Sequence, residues 1–351
     1  MTDTIRIGFV GAGKNTVKKH IPGFKVIKGV ELVSVANRSK ESGQKVAQEV
    51  GLKTVYEDPY ELIASDDTDA ICIGTWPYMH MPLVLAALES NKHVLTEARL
   101  AMNAEEARDM VEAQRFKPKL IAQVVPAPFT FRVDNAIKDL IAEGYFGDIY
   151  AVDCSISAYQ PELSPGGFIN REVPFAWRHD RDLSGMNIML MGAWYECLMR
   201  WIGPASSVLA ITRTHVKERK DPAGSRRVVT IPDHVEVIAE MYSGPTLHMR
   251  VSEVTGLGPS DIWIFGCNGT ARIDMTTSKI YGGKRGTTAV AELPIDEKKA
   301  YKWRAEEEFI NAIRGKEPIL MNTFETGLLY MEFAEAVTRS AQRGEKIALP
   351  L

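Results

Sequence analysis

Up to about residue 125, short apolar runs alternate with amphipathic stretches, and this alternation predicts two kinds of element. The predicted strands are residues 5–10, 31–36, 70–74, 93–96 and 120–125. Between them the helical period covers 14–24, 41–50, 59–64, 81–90 and 104–114, the last opened by Asn103 and Glu106 at capping-box spacing. Strand and helix in strict alternation predict a doubly wound parallel sheet, because each parallel pair needs a crossover.

After Pro126 the pattern changes. A long helix is predicted over 131–144, an alternating strand over 148–159, a Pro/Gly-rich loop over 160–174 and a helix over 185–203. From about 206 to 293 period-two segments, 234–241, 246–254 and 261–274 among them, are broken by Gly, Pro and Asn turns. Two amphipathic helices close the chain, 301–314 and 324–343, around a turn at 315–322. The expected fold class is therefore α/β: a parallel domain over 1–125, then an α+β domain over 126–351 with an open, mostly antiparallel sheet. The last helix is placed to pack back on the first domain.

The chain has 351 residues, 45% hydrophobic and 25% charged, which suits two globular cores. A net charge of -3 without any long Lys/Arg run excludes a nucleic-acid partner from the expectations. Cys72, Cys154, Cys197 and Cys267 lack CxxC or Cys/His ligand spacing, so they read as reduced, buried thiols, and no metal site is expected. Met1 to Asp3 lead straight into the first strand, and no apolar stretch reaches the roughly 18 residues of a membrane span. A cytoplasmic chain without a membrane partner is expected. The Asn-x-Ser/Thr triplets at Asn37 and Asn268 then read as chance matches.

The candidate chemistry begins at Gly11-Ala12-Gly13-Lys14-Asn15-Thr16, directly after the first strand and before a helix. Gly11 permits a tight turn, Gly13 lets backbone approach a pyrophosphate, and the helix N-terminus offers free N–H groups to it. This is the dinucleotide loop of a Rossmann domain, although Thr16 stands where a third small residue is usual. The second strand ends in Asn37-Arg38-Ser39 without the carboxylate that holds the ribose hydroxyls of NAD. Arg38 and Ser39 suit a 2′-phosphate, so NADP is expected ahead of NAD. The alternative for Arg38 is a solvated residue that stacks on the adenine.

At this point the chain resembles the Gfo/Idh/MocA oxidoreductases, the family of glucose-fructose oxidoreductase and inositol dehydrogenase. The resemblance rests on Gly11-Ala12-Gly13 with His20-Ile21-Pro22, on Thr75-Trp76-Pro77-Tyr78-Met79-His80, and on Ala86-Ala87-Leu88 with Lys92-His93-Val94-Leu95-Thr96-Glu97. Gly147-Asp148-Ile149, Arg200-Trp201-Ile202-Gly203, Phe265-Gly266-Cys267-Asn268-Gly269 and the run from Glu308 to Gly315 follow in order. It implies a Rossmann domain, a C-terminal domain with an open sheet, and hydride transfer to or from a sugar, glycoside, polyol or cyclic diol. It also implies a catalytic lysine in Glu-Lys-Pro and an aspartate and histidine four residues apart on a helix. This chain departs at all three: Glu97 is followed by Ala98 and Arg99, and Leu190 and Trp194 occupy the helical positions.

The expected site is therefore a rebuilt one. Arg99 is the candidate to hold a substrate oxygen, and His179 or Tyr195 to carry the proton. Lys14, Asn15, Asn37, Arg38, Ser39, Thr75, Trp76, His80 and Glu97 join Gly11 and Gly13 as cofactor candidates, with His80 divided between cofactor site and packing. Tyr78, Trp177, Arg178, Asn187 and Trp194 are the substrate candidates, an aromatic cleft suited to a ring. His20 reads as structural, and Cys197 and Trp201 as core. Trp263 and Tyr281 are expected at a subunit interface, in a homodimer or homotetramer formed through the open sheet face. A cofactor-binding sensor and a redox-assisted lyase are the alternative functions.

Overall fold

The computed structural model describes residues 4–157 and 169–351. The chain divides into two compact units, Met1–Pro126 with Arg304–Met331, and Ala127–Trp303 with Glu332–Leu351.

In the first unit β1 (Ile5–Val10), β2 (Val30–Ala36), β3 (Thr54–Tyr56), β4 (Ala70–Ile73), β5 (His93–Thr96) and β6 (Ala122–Val124) form one sheet in the order β3-β2-β1-β4-β5-β6. Every pair is parallel. The strand order reverses between β1 and β4, which opens a crevice at the strands' C-terminal ends. The helices are α1 (Ile21–Lys25), α2 (Lys40–Val50), α3 (Pro59–Ala64), α4 (His80–Glu89) and α5 (Ala104–Phe116). Asn103 caps α5 by accepting from the Glu106 N–H at 2.8 Å, and Glu106 reaches back to the Met102 N–H at 3.0 Å.

Two local differences from the sequence reading have physical causes. The helix expected over 14–24 contains a π turn, Thr16–His20, before α1, and the Ile21 N–H reaches the Thr16 carbonyl five residues back. Pro22 has no N–H to give to an i−4 carbonyl, so the looser register costs little there. The edge strand β3 was not anticipated because its three residues are all half-buried and show no alternation.

The second unit carries α6 (Phe131–Ala142), β7 (Ile149–Ser157), the single turn α7 (Arg181–Ser184) and α8 (Met191–Ile202). Then come β8 (Ala205–Arg213), β9 (Glu218–Lys220), β10 (Arg226–Val228), β11 (His234–Met241), β12 (Thr246–Ser252), β13 (Asp261–Gly266), β14 (Gly269–Asp274), β15 (Lys279–Lys284) and β16 (Ala291–Leu293). The chain closes with α9 (Ala305–Ile313) in the first unit, α10 (Phe324–Arg343), through which the division passes, and β17 (Ile347–Ala348). The large sheet has the order β16-β15-β14-β13-β7-β12-β11-β8-β17, antiparallel except for the pair β12–β7. The single segment expected over 261–274 is a hairpin, because the chain turns at Cys267 and Asn268. A Cβ on Gly266 would lie 2.2 Å from the Phe146 carbonyl oxygen, so only glycine fits before that turn. Tyr159, the expected end of β7, and the first part of the following loop lie outside the described residues.

An ionic knot holds α6 to α8. Arg200 bonds Asp134 at 2.8 Å, pairs with Glu196, and donates to the Ala127 carbonyl at 2.6 Å, all three charged side chains being almost fully buried. Glu196 accepts from the Ala127 N–H at 3.1 Å, and the Trp201 indole donates to Asp134 at 2.9 Å. Removing the cation strands two buried carboxylates, so Arg200→Met is expected to cost about 3–5 kcal/mol in urea denaturation. A loss below about 1 kcal/mol would show that the knot is not what couples these helices.

Candidate functional site

In the first unit the loop after β1 is shaped for close backbone approach. Gly11 has φ 76°, and a Cβ there would stand 2.5 Å from the Thr75 methyl and 2.8 Å from its backbone nitrogen. Around Gly13, by contrast, a Cβ would meet nothing nearer than the Gly11 oxygen at 3.9 Å. That opening is where a pyrophosphate would sit, beside the N–H groups that start the helix. The missing third glycine is explained by its partner. Thr16 is buried against Gly74, where a Cβ would come within 2.2 Å of the threonine hydroxyl, so the small residue stands on the strand side of the contact.

The residues after β2 divide between loop and ligand. Asn37 Oδ1 accepts from the Ala12 N–H at 2.7 Å, and the Ser39 hydroxyl accepts from the Ser42 N–H at 3.3 Å as the cap of α2. Both acceptor oxygens thus hold backbone, and the Ser39 hydroxyl keeps its own proton to donate. The Asn37 amide and the Arg38 guanidinium remain as donors for the nucleotide. Arg38 lies 5.5 Å from the centroid of Trp76, and Trp76 lies 6.4 Å from Tyr78, which is 40% exposed. Lys14 is exposed, and Asn15 donates to Glu97.

Behind the loop runs a buried chain of charges. His20 Nε2 is 2.9 Å from Glu97, and its Nδ1 is 2.5 Å from Glu306 on α9. Burial pulls the histidine's pKa down, but the bonds to Glu306 and Glu97 and their charges outweigh it and raise the pKa to about 9. Burial pushes Glu97 the other way from its partners, and the bond to His20 prevails, holding its carboxyl below the ordinary range. His80 is buried, and burial lowers its pKa. Its Nδ1 is 2.9 Å from the Arg99 carbonyl and its Nε2 3.1 Å from the Thr75 carbonyl, so the ring braces the loops after β4 and β5. Arg99 is itself 5% exposed, a largely desolvated cation.

The second unit contains a cavity of about 310 Å³ whose wall includes Arg178, His179, Leu190, Arg219, Asp233 and Glu253. Leu190 is the residue that stands where the resemblance expects an aspartate. His179 accepts from the Ala176 N–H through Nδ1 at 2.9 Å. Burial, with Arg219 and Arg178 adding to it, lowers its pKa to about 4. A neutral ring bonded in this way carries its proton on Nε2 and can donate, but its lone pair is spent. The expectation that His179 accepts the substrate proton therefore fails in this arrangement.

Several sequence candidates are placed elsewhere. Tyr195 is 1% exposed, its ring stacked 3.6 Å from Phe333 and its hydroxyl accepting from the Ala205 N–H at 2.8 Å, so it is a core residue and not a proton carrier. Trp194 packs on Phe129 at 4.6 Å, and Asn187 donates to the Ser184 carbonyl at 2.6 Å within a buried turn. Neither lines the cavity: α8 turns Trp194 into its packing face, and Asn187, before that helix, is held by the turn at Ser184. Trp177 serves as a platform for Arg178, whose guanidinium lies 4.2 Å from the ring centroid. Trp263 and Tyr281 flank Arg272 on the sheet, each ring centroid 5.9 Å from its guanidinium. Sequence reasoning overlooked Arg219 and Glu253. The second had a signal: Leu247, Met249 and Val251 alternate inward along β12, and Glu253 continues their parity.

Comparison with known proteins bears on both units. Residues 5–124 match GFO_IDH_MocA, the oxidoreductase family with an NAD-binding Rossmann fold, and residues 135–272 match the GFO/IDH/MocA C-terminal domain. D-glucoside 3-dehydrogenase of Escherichia coli strain K12 is 24% identical, with 98% of this chain and 97% of that protein covered. An inositol 2-dehydrogenase/D-chiro-inositol 3-dehydrogenase of Halalkalibacterium halodurans is 29% identical over 43% of this chain and 44% of its own. Among solved structures, levoglucosan dehydrogenase in complex with NADH and levoglucosan superposes with a TM-score of 0.80 at 17% identity, covering 99% of this chain and 100% of that one.

Two outcomes test the first unit. Gly11→Ala forces a methyl group into Thr75 and is expected to weaken NADH and NADPH binding at least tenfold by calorimetry, roughly 1.4 kcal/mol or more. Unchanged affinity would disprove the close approach. For His20, a folded pKa of about 9 against the ordinary 6.5 means that the bound proton stabilises fully below pH 6.5, and that this contribution is lost as pH rises through 9. Its size is on the order of 3 kcal/mol. Thermal melts should therefore fall over that window in the wild type, and His20→Gln should remove this component of the slope.

Proposed function

Because the chain belongs to the GFO/IDH/MocA oxidoreductase family, with an NAD-binding Rossmann fold, we propose that it oxidises or reduces one carbon of a sugar, glycoside, polyol or cyclic diol. What carries the reading is the open Gly11–Gly13 turn at the point where the strand order reverses. The names of the relatives, dehydrogenases of a glucoside, an inositol and an anhydrosugar, support the substrate class. When bound, the nicotinamide supplies the hydride acceptor or donor. The chain supplies the rest. Gly11, Gly13 and the helix start hold the pyrophosphate; Asn37 meets the adenosine ribose and Arg38 its 2′-phosphate; Thr75, Trp76 and His80 shape the crevice; Asn15 and Glu97 brace the loop.

In this reading Arg99 takes the work of the absent lysine as far as a guanidinium can: it holds a developing oxyanion but trades no proton. Arg178 and Tyr78 are the substrate-binding candidates that remain accessible or line a cavity. The absence of a carboxylate after β2 favours NADPH over NADH. The four cysteines, all unpaired, suit the reducing cytoplasm. Leu209, Ile211 and Ile238, 43%, 56% and 54% exposed on neighbouring strands, favour self-association through the open sheet face.

Incubation with NADP+ or NAD+ and a panel of sugars, glycosides, polyols and cyclic diols, read by absorbance of the reduced cofactor, tests the whole. Turnover of a panel member is the expected result; tight cofactor binding with no turnover across the panel would replace the enzyme with a sensor. Arg38→Ala should raise the NADPH dissociation constant roughly tenfold or more while leaving NADH nearly unchanged, the worth of one charge-assisted hydrogen bond. An equal effect on both cofactors would refute the phosphate contact. Light scattering is expected to give a dimer or tetramer at micromolar concentration.

A further inference from the structure

The buried charges behind the glycine loop share a proton. His20 is fully buried, with Nδ1 2.5 Å from Glu306 Oε1 and Nε2 2.9 Å from Glu97 Oε1. A neutral imidazole has one N–H, so it satisfies one of these carboxylates and turns a bare lone pair on the other. Both contacts therefore need a second proton among the three groups, whichever atom carries it. With that proton the triad has one net negative charge; without it, two.

The link to the cofactor loop is the same Glu97 oxygen. Asn15 Nδ2 donates to Glu97 Oε1, the atom that also meets His20. Asn15 stands two residues after Gly13 and opens the first helical turn, yet its side chain caps no N–H of that turn, the usual work of an asparagine there. Glu97 holds it away. Glu97 is 16% exposed against 0% for His20 and 3% for Glu306, so it is the member of the triad nearest the surface. We propose that dinucleotide binding is coupled to this shared proton: NADH or NADPH binds the protonated triad more tightly and draws the proton in, with His20 and Glu306 as positioning residues for Glu97 and Asn15.

The inference rests on cofactor binding by the Rossmann unit and on no particular substrate. Losing the proton acts on the loop in two ways. It sets a lone pair against a carboxylate, so Glu97 loses a bond that orients the oxygen holding Asn15. It also adds a negative charge behind a loop that must accept a pyrophosphate, where burial leaves little water to screen it. The neighbouring groups keep their charge state between about pH 7 and 10. Burial, with Glu97 and Glu306 adding to it, holds the Cys72 thiol well above its ordinary range, and burial lowers the pKa of His80, so both stay neutral. Arg99, two residues past Glu97, stays charged. On His20 burial works against the proton, but the bonds to Glu306 and Glu97 outweigh it and raise the pKa to about 9.

The test titrates NADH and NADPH into the full-length protein by calorimetry from about pH 7.5 to 10, a range in which the 2′-phosphate of NADPH is already ionised. Because binding favours the protonated triad, affinity is lost as pH rises. The wild-type dissociation constant should stay level below about pH 8 and rise roughly fivefold by about pH 10, the result of a bound state that keeps its proton about one pH unit longer. Near pH 9, titrations in two buffers of different ionisation enthalpy should show uptake of about half a proton per cofactor. His20→Gln removes the titrating ring and should flatten the profile and abolish the uptake. Glu306→Gln removes one of the two charges that hold the proton and should move the rise to lower pH. A side chain that only filled space would change affinity equally at every pH. A wild-type affinity level up to pH 10, or a rise retained in His20→Gln, overturns the coupling and leaves cofactor binding intact. Should His20→Gln fail to fold, the other two readouts decide: no proton uptake by the wild type, or an unmoved rise in Glu306→Gln, overturns it as well. If neither cofactor binds at any pH, the dinucleotide reading fails first and the coupling with it.

Discussion

A buried histidine held between two glutamates, Glu97 and Glu306, is the constraint on which the nucleotide-binding unit depends. His20, Glu97 and Glu306 come from the first helical segment, the end of β5 and α9, and each contact spans a long stretch of sequence. Burying ionisable groups is costly unless each finds a charged or hydrogen-bonding partner. Pairing them here fixes three segments at once, and Asn15 extends the chain to the glycine loop. Glu97 is thus bonded on one side by the core and on the other by the loop that would hold the pyrophosphate. Ala98 and Arg99 follow it directly, and His80 holds the Arg99 carbonyl in place. The site is built outward from this line of charges.

The second unit repeats the principle with different groups. Arg200, Asp134 and Glu196 close a knot between α6 and α8, and the consequence is that α8 presents its aromatic residues to packing. Tyr195 finds Phe333 and the Ala205 N–H, and Trp194 finds Phe129. A polar group whose bonding capacity is used up by the fold has little left for a substrate. The same test, applied around the cavity, shows Asp233 and His179 already bonded to backbone N–H groups. Structure assigns chemistry here less by residue type than by what each side chain has already been given to do.

What the sequence determined about this protein follows from local rules. Periodicity, turn residues and caps depend on neighbours a few positions away, so the parallel alternation up to about residue 125, the Asn103 cap and the period-two segments that follow were all legible. Gly11 and Gly13 were legible for the same reason: a positive φ and an open approach are properties of a short stretch of backbone. The substitutions at Ala98, Leu190 and Trp194 could be seen without any fold. Tertiary structure alone decided which polar groups are spent and which are free. That Thr16 fits because Gly74 yields, that Asn37 serves Ala12, and that Tyr195 is sealed against Phe333 are facts about partners tens to more than a hundred residues away. No periodicity encodes such a partner, because a hydrogen bond or a close packing contact is chosen only when distant segments have come to rest against each other.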